Sequence, residues 1–156
     1  MKKTRALLPR VPRVAVPCVA VVVTSMMGPA SAAPPAGHFV LQDANQVVRD
    51  TKTNLRWERV ATATLRTHAL GVQYCAGLTL AGGGWRLPTI KELLTIVDRA
   101  EAGSPKWPTA FFDGPVGEYW SSTTAYMDAG ERYYVSFVTG AAASSDQGSR
   151  YVRCVK

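Results

Sequence analysis

Apolar and polar positions change period repeatedly along the chain, and each change marks a predicted element. From His38 to Glu58, short apolar runs at Val47-Val48 and Leu55-Arg56-Trp57 flank the polar stretch Asp50-Thr51-Lys52-Thr53-Asn54. Asp and Asn tolerate left-handed backbone and bond their own chain, so this pattern predicts strands joined by a turn. Between about Thr64 and Leu78 the period lengthens. Leu65, Ala69, Val72 (or Gln73) and Ala76 recur at helical spacing, with Tyr74 and Cys75 near the end. Gly77 and the run Gly82-Gly83-Gly84 break that helix. A second helix starts at Thr89, where Thr89 and Glu92 form a T-x-x-E capping box just after Pro88. Leu93, Leu94, Ile96 and Val97 supply its buried side. An irregular stretch from Ala102 to Gly117 carries Trp107, Phe111 and Phe112. Alternation then returns at Tyr119–Thr123, Tyr133–Val138 and Tyr151–Val155, three strand candidates separated by turns rich in Gly, Ala, Ser and Asp. The expected class is α+β, with two helices packed on antiparallel sheets and one long irregular loop.

The N-terminus follows a different logic. Lys2, Lys3, Arg5, Arg10 and Arg13 precede an almost wholly apolar run from Val14 to Met27, and Ala30-Ser31-Ala32 follows. A basic region, an apolar core and a small-x-small site are the marks of a cleaved export signal. The core of about 14 residues is short for a membrane span, which needs roughly 20. The expected organisation is a signal peptide over 1–32, a short flexible lead-in over 33–38 and one domain over 39–156. A retained anchor is the alternative. Cys18 has Pro17 before it and apolar residues after it, a poor match to a lipid-attachment site.

That division changes the charge. The chain has 18 basic and 11 acidic residues, a net charge of +7. Five of the basic residues lie in the signal, which has no acids, so the remainder carries thirteen against eleven. Nucleic-acid binding therefore loses its electrostatic support. Cys75 and Cys154 are the cysteines left after the signal. In an exported chain an even pair reads as a disulfide, with two buried free thiols as the alternative. No CxxC or Cys/His cluster suggests structural zinc.

The motif order resembles a known family. Asp50-Thr51, Leu55-Arg56-Trp57-Glu58, Tyr74-Cys75, Trp85-Arg86-Leu87-Pro88-Thr89 with Glu92-Leu93, Tyr119-Trp120-Ser121-Ser122-Thr123 and Tyr151-Val152-Arg153-Cys154-Val155 stand in sequence. They resemble the domain called DUF1566, also named after the C-terminal domain of the Legionella collagen-like adhesin. The resemblance implies a C-type-lectin-like fold and a Cys75–Cys154 disulfide. It also implies a role in adhesion, since in the collagen-like adhesin this domain is associated with trimer assembly and with sulfated glycosaminoglycans. The Trp85–Thr89 piece is similar to a helix start in sulfatase-modifying enzymes, which share the general fold. Asn54 stands where the family usually has Gly, and Asn can adopt the same left-handed conformation. A tryptophan often found opening the first helix is replaced near Thr67-His68. No collagen-like Gly-x-y run accompanies the domain.

Candidate chemistry is thin. Trp57, Trp85, Leu87, Leu93 and Trp120 are expected in the core, and Arg86 is expected to stack or pair inside the fold. Ser121 and Ser122, with Thr123, suit either sugar hydroxyls or neighbouring backbone. A sulfated or acidic glycan needs exposed cations, and arginine binds sulfate or carboxylate through a planar fork. Lys106, Arg132, Arg150 and Arg153, with Trp107, Tyr126 and Tyr134 as aromatic platforms, form the expected ligand face, to which Tyr133 also belongs. Calcium would have to come from Asp113, Glu118, Asp128 and Glu131; the Glu-Pro-Asn and Trp-Asn-Asp triplets of true C-type lectins are absent. No other cofactor is implied. His38 and His68 sit in no catalytic constellation, and no activated nucleophile is visible. The sequence thus favours an exported binding module, periplasmic or secreted, that recognises a glycan. An envelope protein-interaction or structural domain is the alternative, and an enzyme with a carboxylate-based site the third class.

Overall fold

Two successive hairpins open the domain. The computed structural model describes residues 37–156, so the expected signal, its cleavage site, Cys18 and most of the lead-in lie outside the described residues. Strands β1 (Phe39–Gln42), β2 (Val47–Asp50) and β3 (Arg56–Glu58) form an antiparallel sheet in that order. Val48 stands opposite both Leu41 and Trp57, so one face of the sheet presents apolar side chains to the core. The β2–β3 turn forms where its composition predicts. The buried Asp50 carboxylate accepts hydrogen bonds from the Lys52 and Thr53 amides and the Thr53 hydroxyl, and Asn54 is left-handed with φ 61°. Gly37 and His38, assigned by sequence to a flexible lead-in, are already tied down: Thr51 donates its hydroxyl to the Gly37 carbonyl and its amide to that of His38.

The β1–β2 turn is less ordinary. Asp43, Ala44 and Asn45 are left-handed in succession, at φ 49°, 53° and 64°. Asp and Asn adopt this region with some ease, whereas for a residue such as Ala44 it costs roughly 1–2 kcal/mol. Two arginines hold the turn. Arg56 pairs with the Asp43 carboxylate, and Arg59 donates to the Asn45 carbonyl.

Helix α1 (His68–Gly77) is capped by the Thr67 hydroxyl, which accepts from the Leu70 amide. Its buried residues are Gly71 and Cys75. The spacing that announced the helix is not its buried face, because Leu65 and Val72 are exposed and so are Ala69 and Ala76. The disulfide decides the rotation. Cys75 is bonded to Cys154, and Gly71 turns toward Val152, where an added methyl would stand 3.0 Å from a Val152 methyl. A single 3₁₀ turn (Leu80–Gly82) leads to α2 (Ile90–Thr95), whose Thr89–Glu92 capping box is formed in both directions. Leu93 and Ile96 are fully buried, and Leu94 and Val97 pack partly against the same core.

After α2 the long irregular segment feeds Trp107 and Phe112 into the core. It is held at Lys106, whose amide donates to the Phe137 carbonyl and whose carbonyl accepts from Asp98. Strands β4 (Glu118–Thr124), β5 (Arg132–Ser136) and β6 (Ala142–Ser145) make the second antiparallel sheet. The sequence pattern missed β6, which is built of Ala and Ser without alternation. The third predicted strand needs correcting too. Residues 151–155 form isolated bridges, Tyr151 with Tyr119 and Val155 with both Trp57 and Arg86. The segment passes from one sheet to the other within five residues, too quickly for a continuous ladder. It thereby joins the two sheets, and Arg56 and Lys156 exchange backbone hydrogen bonds at its end.

The molecule is α+β, with two three-stranded antiparallel sheets, two helices and one disulfide. Two apolar clusters fill it. One centres on Phe39, Val48, Trp57, Trp107, Phe112, Tyr119 and Phe137. The other surrounds the disulfide with Val47, Trp85, Leu87, Trp120 and Val152. No helix among the described residues is long and apolar enough to cross a membrane.

Candidate functional site

The residues expected to bind a ligand are largely engaged in holding the fold. Two need outright correction. Arg153 is fully buried, with its guanidinium over the Trp107, Phe112 and Tyr119 rings. Its Nη1 donates to the carbonyls of Glu58 (2.8 Å) and Arg59 (2.5 Å), and its Nη2 to that of Asp113 (2.8 Å). Trp107 is 2% exposed and packs against Tyr119 and Phe137. Neither side chain can meet a ligand at the surface.

The remaining members have partners of their own. Arg150 lies between the rings of Trp120 and Tyr134, 4.1 and 3.9 Å from their centroids, and its Nε donates to Glu118 at 2.8 Å. Arg132 donates to the carbonyls of Ala129 and Glu131. The Lys106 ammonium donates to the Glu101 carbonyl. Tyr126 stands 92% exposed in the β4–β5 loop beside Met127 at 90%. Of the expected set, Arg150 meets Tyr134 at the second sheet, and Arg153 meets Trp107 inside the core.

The motif residues take structural positions. Arg86 makes a two-pronged pair with Glu92, at 2.8 and 2.6 Å. That guanidinium, helped by the Thr89 amide and hydroxyl, holds the Glu92 carboxyl down at about 2. Ser121 is buried and donates to the Tyr133 carbonyl, whereas Ser122 is exposed and its amide donates to the Pro88 carbonyl. Trp57, Trp85, Leu87 and Trp120 are core residues. Glu58 is a buried carboxylate that accepts from the Tyr74 hydroxyl at 2.7 Å and the Cys154 amide at 3.0 Å. Burial pushes its pKa upward against those two hydrogen bonds. His38 contacts Asp50, and His68 contacts the Ser121 carbonyl.

An open concavity of about 320 Å³ instead lies on the first sheet, lined by Gln42, Arg49, Asn54 and Arg56. Its geometry follows from the β2–β3 hairpin. Arg49 and Arg56 are register partners, so both project from one face, the one opposite to Val48 and Trp57. Like charges directly opposite each other repel, and here each has a separate polar neighbour. Arg49 donates through Nε and Nη2 to the Asn54 amide oxygen at 3.1 and 2.8 Å. Arg56 pairs through Nη2 with Asp43, while its Nε is buried without a hydrogen-bond partner. Two planar forks and two side-chain amides thus share one small depression. Neither arginine belongs to the ligand face expected from the sequence, whose cations lie in the later loops and the final segment. The signal was present, since positions 49 and 56 flank the predicted Asp50–Asn54 turn.

Among the described residues no group of three or more His, Cys, Asp and Glu side chains is placed to hold a metal ion. Asp113, Glu118, Asp128 and Glu131 do not form one; Glu118 engages Arg150, and Glu131 accepts from the Ser144 hydroxyl.

No curated protein and no solved structure matches the chain at a significant level. The family model described as the Lcl C-terminal domain matches residues 46–156. That span takes in β2 through the last residue, with both helices, both disulfide cysteines and the arginine pair, and the chain belongs to the Lcl C-terminal domain family.

Proposed function

We propose that this protein is an exported, non-catalytic binding module that recognises acidic groups of glycans at the cell surface, on a C-type-lectin-like fold. The observation that carries the proposal is the concavity in which Arg49 and Arg56 stand side by side with Gln42 and Asn54. Guanidinium forks suit carboxylate and sulfate, and side-chain amides suit hydroxyls. Membership of the Lcl C-terminal domain family supports a surface or adhesin-associated role. The disulfide favours an oxidising compartment, periplasmic or extracellular. The meeting of β3 with the chain's last residues, and the long loop between α2 and β4, support the lectin-like assignment.

A non-catalytic role draws support from the state of the reactive groups. Both described cysteines are bonded, His38 and His68 each have a partner, and Glu58 is buried beneath Tyr74. A second role, docking to an envelope protein, is favoured by one observation: Tyr126 and Met127 project almost fully exposed from the same loop. A glycan array probed with the oxidised protein at low and high salt separates the two. Salt-sensitive retention of acidic glycans, lost in R49Q, supports glycan recognition. A blank array, with a protein partner retained only when Tyr126 and Met127 are intact, replaces it.

A further inference from the structure

We infer that Glu58 is the positioning residue of the Cys75–Cys154 disulfide, keeping the two cysteine-bearing segments opposite each other when the bond is reduced. All four polar atoms of this residue engage one cysteine or its neighbour in sequence. The Glu58 amide donates to the Cys154 carbonyl at 2.9 Å, and the Cys154 amide donates to Glu58 Oε2 at 3.0 Å. Tyr74, which precedes Cys75 in α1, donates its hydroxyl to Glu58 Oε1 at 2.7 Å. The Glu58 carbonyl accepts from Arg153, which precedes Cys154.

These bonds make a second connection between the same two segments. It runs from α1 through Tyr74 to Glu58 on β3, and from Glu58 to the main chain of Cys154, without passing through either sulfur. Tyr74 is itself held from outside, with the Arg66 guanidinium 4.2 Å from its ring centroid. Glu58, Cys75 and Cys154 are all buried, so water does not compete freely for these groups. Hydrogen bonds to a carboxylate are short and about twice as strong as neutral ones.

A buried charge adds little net stability over an apolar side chain of like volume. What it adds is a fixed geometry for the groups that satisfy it. That geometry matters here because the cysteines are 79 residues apart, and a flexible linker brings its ends together at millimolar effective concentration at best. A reduced chain kept in place by Glu58 presents its thiols to each other far more often.

The reaction served is exchange with an outside disulfide, such as oxidised glutathione. One cysteine thiolate attacks a glutathione sulfur and expels a glutathione thiolate; the second cysteine thiolate then displaces the other. Two protein thiols are oxidised, one glutathione disulfide is reduced to two thiols, and the two protons pass to the departing glutathiones.

The test equilibrates the full chain with reduced and oxidised glutathione at pH 7, traps free thiols and weighs the peptides carrying Cys75 and Cys154. The parent is expected to show an effective thiol concentration at least a hundredfold above the millimolar level of a flexible linker. E58M/Y74F replaces both partners of the buried hydrogen bond with apolar groups of similar shape, a change that costs the oxidised fold little. Its effective concentration is expected to fall about tenfold, and that of Y74F alone about fivefold. D98A, which removes the carboxylate that accepts from the Ala100 and Glu101 amides, is expected to match the parent. Hydrogen exchange supplies a reading that needs no variant: in the reduced parent the Cys154 amide is expected to stay protected. Free exchange of that amide on reduction overturns the inference, as does an E58M/Y74F value within twofold of the parent. If E58M/Y74F fails to fold, Y74F and the amide decide by the same criteria.

Discussion

Arg153 donates to the main-chain carbonyl of Glu58, a residue 95 positions earlier. The same guanidinium reaches the carbonyls of Arg59 and Asp113, so one buried side chain fastens the exit of β3, the segment before β4 and the C-terminal segment. A cation stripped of water is retained only where enough acceptors replace the lost hydration.

Removing it should therefore be severe. R153M removes a charged donor from three carbonyls, at about 1.5–3 kcal/mol for each hydrogen bond before relaxation, although the Arg59 and Asp113 carbonyls keep the Asp113 and Ala61 amides as donors. The expected outcome in urea unfolding is a loss of several kcal/mol or failure to accumulate folded protein. R153K should lose a similar amount, because an ammonium cannot reproduce the planar fork. A near-normal midpoint for either variant would contradict the role assigned to this residue.

The disulfide closes a loop of 79 residues. Constraining the unfolded chain by that length is worth about 4.5 kcal/mol in the chain-entropy model. Reduction, or Cys75→Ser, is expected to lower the melting temperature substantially, and an unchanged melt would show that the two apolar clusters suffice alone.

Arg150 and Arg132 were the natural choices for a ligand face, and the structure assigns them different outcomes. Arg150 is stacked between two rings and bonded to Glu118, so R150A is expected to lower stability by about 1–2 kcal/mol. R132A should be close to neutral. Acidic-sugar binding is expected to survive R132A and to fail in R49Q. The opposite pattern would return the site to the second sheet.

Glu92 gives a pH signature. Its folded pKa of about 2 lies below its ordinary value of 4.5, so its stabilising effect is complete above the unfolded value. That effect is lost as pH falls from about 4.5 through about 2. In thermal melts E92Q should be less stable than the parent at pH 7, by about 1 kcal/mol for the lost capping and pairing. The difference should shrink toward pH 2. A gap that is constant across this range would separate the carboxylate's charge from its structural role.

Local chemistry was readable from the residues alone. The capping box at Thr89, the turn from Asp50 to Asn54 and the Cys75–Cys154 pairing formed as expected because each rests on a few neighbouring groups or one covalent bond. What failed depends on tertiary context. The outward face of α1 looked like its core stripe, since Gly71 contributes no hydrophobicity to a periodic pattern yet occupies the closest contact. Val152 through Val155 are all buried, so alternation could not reveal that Arg153 lies inside. The arginine pair on the first sheet needed only hairpin register, but no composition singled it out.

The C-terminal segment also sets an order of events. Val155 bridges Trp57 and Arg86, Cys154 closes the disulfide, and the Lys156 ammonium donates to the Ala81 and Gly83 carbonyls. A ribosome delivers these residues after every strand and helix described. Until they arrive, β3 has an open edge and Cys75 lacks the partner to which it is bonded. Closure of β3 and of the disulfide therefore depends on a segment made after all the strands and helices that it joins.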